Sequence, residues 1–183
     1  MLPIYALMQE RRLIERMFPL MRKELLRIKE TKEVNSRFID LAVDFIRAYA
    51  DRCHHGKEEG ILFKELTNKP LSNEHAAVMK SLIEEHVYAR KTTGSLEKAI
   101  ENYRNGNKEA GTDVWKFLNE LADFYPKHIE KEDKRFFYPA MEYFSQQEQD
   151  VMLDGFWNFD RRLIHERYVK VLGELERLAA TKL

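Results

Sequence analysis

Apolar residues recur at intervals of three and four along almost the whole chain, and β-branched alternating runs are few, so the pattern predicts helix nearly throughout. Ile4, Leu7, Ile14, Phe18, Met21, Leu25 and Ile28 line one face of a first helix, opened by Pro3, reaching about residue 30 and kinked by Pro19. A second helix is expected over 34–66, weakened at its far end by Gly56 and Gly60. Ser72 is the N-cap of a third, which runs to about Gly94 and on to Arg104. After the Asn105-Gly106-Asn107 turn a fourth covers 108–143, disturbed at Pro126 and Pro139. Ser145 and Glu148 match a capping box that opens a fifth helix running to the end. Long helices with short connections predict an all-α fold, an up-and-down four-helix bundle with an additional C-terminal helix, and one domain over 1–183.

Four of these stripes carry polar residues. In the second helix Ile39, Val43, Ile46 and Ala50 lead into His54 and Glu58, and in the fourth Val114, Leu118, Leu121 and Tyr125 lead into His128 and Glu132. His86 lies on the third stripe, whereas His75 is roughly 16 Å away along the same axis and cannot share a metal with it. The first stripe is apolar except for Arg11, whose guanidinium has no lone pair for a metal. Buried there, Arg11 needs a carboxylate: a local one such as Glu15, or Glu58 or Glu132 across the bundle.

The second and fourth helices also share a gapless repeat. His54-His55-Gly56-Lys57-Glu58-Glu59-Gly60-Ile61-Leu62-Phe63 aligns with His128-Ile129-Glu130-Lys131-Glu132-Asp133-Lys134-Arg135-Phe136-Phe137. His and Glu four apart sit on one helix face, about 6 Å apart at Cβ, and two such pairs on facing helices make a di-metal carboxylate site. A hydrogen-bonded polar layer is the alternative. Repeat and periodicity both select His54 and Glu58 over His55 and Glu59; packed or half-exposed side chains account for His55 and His75. Cys53, turned by about 100° from His54, is expected to pack in the core. So are Phe124, Tyr125, Phe136, Phe137, Tyr138, Phe144, Phe156, Trp157 and Phe159.

These residues resemble the hemerythrin-like family, the HHE cation-binding domain, over nearly the whole chain. The resemblance rests on His54-x-x-x-Glu58, on Glu85-His86-x-x-x-Arg90, on His128 to Asp133, on the first helix from Leu7 to Met17 and on Ile164-His165-Glu166-Arg167-Tyr168. It implies a non-haem pair of irons, oxo- or hydroxo- and carboxylate-bridged. His54, His86 and His128 would be terminal ligands and Glu58 and Glu132 the bridges. The family's first-helix histidine is replaced here by Arg11, and a second third-helix histidine by Arg90. His165 is the candidate to supply a fourth nitrogen, and Tyr5 and Glu10 are weaker candidates for the missing ligand. The implied role is binding or sensing O2, NO or peroxide, in a redox or nitrosative stress response, and catalysis is not demanded. The alternative is a metal-depleted, zinc or mononuclear bundle, structural or a sensor, in which Arg11 replaces a ligand; histidine and carboxylate also suit manganese.

Composition narrows the picture. Lys plus Arg and Asp plus Glu number 31 each, so the net charge is zero, which argues against a nucleic-acid partner. A single cysteine excludes an internal disulfide, and the N-terminal charges leave no apolar run for a signal or membrane span. The expectation is a soluble cytoplasmic protein, monomeric or a homodimer.

Overall fold

The computed structural model describes residues 2–160 and 162–180, and those residues are helical apart from short connections. The first helix divides into α1 (Ile4–Glu15) and α2 (Met17–Thr31). The second begins as α3 (Ser36–Phe45), capped by Asn35, whose side chain accepts from the Phe38 amide. It continues through two π-helical runs, π1 (Ile46–His55) and π2 (Glu58–Phe63), into the short α4 (Lys64–Leu66). Then follow α5 (Asn73–Arg104), α6 (Ala110–Arg135), α7 (Phe137–Met141), α8 (Gln146–Phe159) and α9 (Arg162–Ala180). Ser72 caps α5, and the Ser145–Glu148 capping box opens α8.

Proline explains two of the irregularities. A proline has no N–H for the carbonyl four residues earlier. For Pro19 that residue is Glu15, where α1 ends, and for Pro139 it is Arg135, where α6 ends. Pro126 is tolerated inside α6. The carbonyl it frees belongs to Ala122, and Arg22 of α2 donates to that oxygen at 3.1 Å. The expected fifth helix is in fact two. Asp160, extended at φ −94° and ψ 96°, breaks it, because the Asp160 carboxylate is drawn inward to Lys57, Cys53 and His165.

α1 packs on π1 and α2 on α6; α3 and π1 pack on α5, and α5 on α6, which closes a ring of four segments. α9 lies across α2 and α3, and α8 across π2. Two apolar cores result. One gathers Ile14, Met21, Phe38, Leu96, Leu118 and Leu172; the other gathers Leu7, Phe63, Leu82, Phe136, Phe137 and Phe156. Each of the four segments passes from one core to the other: Leu7 and Ile14, Ala50 and Leu62, Leu82 and Ala89, Ile129 and Phe136 fall in different cores. Tyr138, Trp157 and Phe159 are exposed, contrary to the expectation that they pack in the core. No helix among the described residues is long and apolar enough to cross a membrane.

Candidate metal centre

Between the two cores lies a buried polar layer: Glu10 and Arg11 of α1, His54 and His55 of π1, Glu58 of π2, His86 of α5, and His128 and Glu132 of α6. Seven buried donor atoms in it have no hydrogen-bond partner: Nε2 of His54, His86 and His128, Nδ1 of His55, both oxygens of Glu58 and Oε1 of Glu132. Six of them come close to one another without bonding, and the seventh, His55 Nδ1, lies 3.4 Å from Asp51 Oδ1. His54 Nε2 is 3.4 Å from Glu58 Oε1, His86 Nε2 is 3.4 Å from Glu58 Oε2, and His128 Nε2 is 3.1 Å from Glu132 Oε1. Leaving so many buried polar atoms unsatisfied is expensive, and a metal cation among them would satisfy the six that face one another. The residues present therefore fit a metal.

The donors fall into two groups, each within 4.8 Å: His54 with Glu58 and Glu132, and His55 with His86 and His128. His55 owes its place to the π winding. An i→i+5 helix is wider than an α-helix, so its neighbours are separated by less than the usual 100° or so. Adjacent histidines can then both face inward, and both are buried here with ring centroids 5.8 Å apart. The His55 ring stacks on His86 at 3.8 Å and meets His128 edge-on at 5.6 Å. α-Helical periodicity sets His55 aside in favour of His54; the structure brings both into the layer.

Behind the inner atoms stands an outer set of carboxylates. His54 Nδ1 faces Glu10 at 3.0 Å, His86 Nδ1 faces Glu59 at 2.6 Å, and His128 Nδ1 faces Glu85 at 2.8 Å. Such a partner fixes the tautomer and aims Nε2 at the centre, as the shells of metal-bound histidines do. Each carboxylate is held in turn by a cation one turn beyond the histidine: Lys57 on Glu10, Arg90 on Glu59 at 2.5 Å, Lys131 on Glu85. The lysine shared by both copies of the sequence repeat thus has the same task in each. Sequence offers Glu10 only as a weak candidate ligand, whereas it stands behind His54; Glu59, Glu85, Lys57 and Lys131 have no role assigned from sequence, although the His-x-x-Lys spacing is visible there.

Arg11 occupies the fourth side. It donates to Glu132 Oε2 at 3.2 Å, to the Ile129 carbonyl at 3.4 Å and to Asp133, and its guanidinium lies 4.5 Å from the Phe137 ring centroid. Of the acids considered from sequence, it is Glu132 that Arg11 pairs with; Glu15 is not its partner. Burial opposes charge on Glu132, but His128, His54 and Arg11 outweigh it and hold the carboxyl below its ordinary value. Glu58 has no such set: burial and the neighbouring Glu132 push it well upward. Burial also opposes protonation of His128, yet Glu132 and Glu85 raise it to about 9. His55 is pushed well down by burial and by the other histidines.

His54, Glu58, His86, His128 and Glu132 all converge on this layer, but His165 does not. It sits in a neighbouring cluster with Glu10, Cys53 and Asp160, donating from Nε2 to Asp160 at 2.7 Å, with Nδ1 3.0 Å from the Tyr49 hydroxyl. Lys57 bridges Glu10 and Asp160 there, so the two clusters share Glu10. His165 and Asp160 line an open pocket of about 410 Å³ that also includes Leu13, Phe156 and Trp157. Cys53 donates its thiol to Asp160 at 2.7 Å, and His75 is occupied with Tyr143 at 2.8 Å.

No curated protein and no solved structure matches the chain. Residues 2–140 match the family profile described as the hemerythrin HHE cation binding domain. That span contains every inner donor and the whole outer set of carboxylates, and it ends before α8 and α9. With a histidine- and carboxylate-lined layer suited to a cation and a family match over most of its length, the chain belongs to the hemerythrin HHE cation-binding family.

Proposed function

We propose that the chain is an up-and-down four-helix bundle with an additional C-terminal helical pair, and that its polar layer holds two irons which bind or sense O2, NO or peroxide. The observation that carries this reading is the convergence of six unpartnered buried donor atoms on one layer, with three of the histidines pre-aimed from behind and a fourth, His55, stacked among them. His54 and Glu132 would hold one metal, and His55, His86 and His128 the other. Glu58 would bridge them, since its two oxygens face different histidines. Iron bound there supplies electrons and an open coordination position for a diatomic or peroxide ligand. The chain's own residues do the rest. Leu7, Phe63 and Phe137 on one side and Tyr125 and Ile129 on the other limit water and proton access, which favours reversible binding over turnover. Histidine and carboxylate donors also admit manganese or zinc.

A second reading has its own support in the Arg11–Glu132 pair: a site with a single metal, or none, in which the guanidinium stands in for a cation. Elemental analysis of protein purified without chelator or an affinity-tag metal separates the two. Two irons per chain, with an optical band that changes on adding O2 or NO, is the expected result. Metal-free protein after anaerobic ferrous reconstitution would leave the second reading standing.

A further inference from the structure

Resting on the metal reading above, we propose that Arg11 makes the two metal positions unequal, so that this centre fills in two well-separated steps. The outer carboxylates and cations reveal how. Each of three stations hands a carboxylate from one helical segment to a histidine and a cation on the next: Glu10 to His54 and Lys57, Glu59 to His86 and Arg90, Glu85 to His128 and Lys131. Each of these carboxylates adjoins an inward-facing residue of its own helix: Glu10 precedes Arg11, Glu59 follows Glu58, and Glu85 precedes His86. The fourth station closes the ring from α6 back to α1. Its carboxylate is Asp133, next to Glu132, and what it meets on α1 is Arg11.

At this station one guanidinium does two jobs. One nitrogen takes Asp133, as Lys57 or Lys131 takes its carboxylate, and the other enters the inner layer and occupies Oε2 of Glu132. Glu132 is left with one free oxygen, Oε1, whereas Glu58 keeps both. The group of His55, His86 and His128 has three ring nitrogens and lies next to Glu58 Oε2. The group of His54 has one nitrogen, a share of Glu58 and the one free oxygen of Glu132, which it shares with His128 at 3.1 Å, beside a buried guanidinium that has no lone pair for a metal. Arg11 stands where each of the other three stations has a histidine, so it brings no nitrogen donor; it also takes one oxygen of Glu132 and sets a positive charge beside the His54 group. It is a specificity-determining residue for metal number.

The test is an anaerobic titration of the metal-free full chain with cobalt(II), followed by its visible absorption, and repeated with ferrous ion. The parent should show two steps whose dissociation constants differ by about 100-fold or more, since even the loss of an outer partner costs 10–100-fold in metal affinity. Arg11→His should tighten the second step at least about 10-fold, because Asp133 already stands where a histidine's outer carboxylate is needed. Adding Asp133→Asn to that variant should take back part of the gain. Arg11→Gln, which removes charge without adding an imidazole, should fall between. Two equally tight equivalents in the parent overturn the proposal and leave the metal reading intact. So does an unchanged second step in a folded Arg11→His chain. A parent that binds neither ion overturns the metal reading itself, and this proposal with it.

Discussion

A histidine ring has two nitrogens, and in this chain three histidines give the outer one to a carboxylate from the preceding helical segment. That arrangement turns Lys131 from a surface charge into a positioning group. Lys131→Met should leave the helical circular dichroism intact and lower cobalt(II) affinity by about 10-fold or more, through a Glu85 no longer fixed against His128. A purely local salt bridge would instead show as a small loss of stability with unchanged metal affinity. At this scale the inner residues His54, Glu58, His86, His128 and Glu132 were legible from stripes and from the repeat. Glu10, Glu59 and Glu85 were not. Their task depends on which helix follows which around the ring, and one helix's periodicity carries no information about its neighbour.

At the level of elements, caps and prolines spoke through the sequence because their effects are local. Ser145 and Glu148 form the expected capping box, and Ser145→Ala should lower unfolding stability by about 1 kcal/mol, read from the urea midpoint at unchanged slope. The π winding of Ile46–His55 and Glu58–Phe63 had no such signal. It adds residues per turn without changing residue type, so a 3.6-residue template assigns His55 to the wrong face. The break at Asp160 was likewise hidden. Nothing near it in sequence demands a stop; the cause is a carboxylate drawn to Lys57, more than a hundred positions earlier in the chain.

For the whole molecule, Asp160 ties α8 and α9, beyond the family-matched span, to the four segments that carry the metal layer. The groups facing this tie are Glu10, Lys57, Cys53, Tyr49 and His165. Asp160 is held below its ordinary 3.8 although burial works the other way, because His165, Cys53 and Lys57 bond to its charged form. Its contribution is present above that value and fades as pH falls further. His165 is raised above its ordinary 6.5 by Asp160, so its contribution is full below 6.5 and is lost as pH climbs through the raised value. Attachment of the C-terminal pair should therefore be firmest between about pH 4 and 6.5 and loosen at alkaline pH. Trp157, on the wall of the same pocket, reports it: its emission should change above neutrality in the parent and show no alkaline transition in His165→Gln.

The four-station ring also bears on how the protein opens. Every segment both offers a carboxylate to one neighbour and receives one from the other, so no single helix can withdraw without exposing buried charge on two sides. Amide hydrogens flanking residues 11, 55, 86 and 129 should then exchange with solvent together, with one common protection factor, while those near the ends of the same helices exchange independently and sooner.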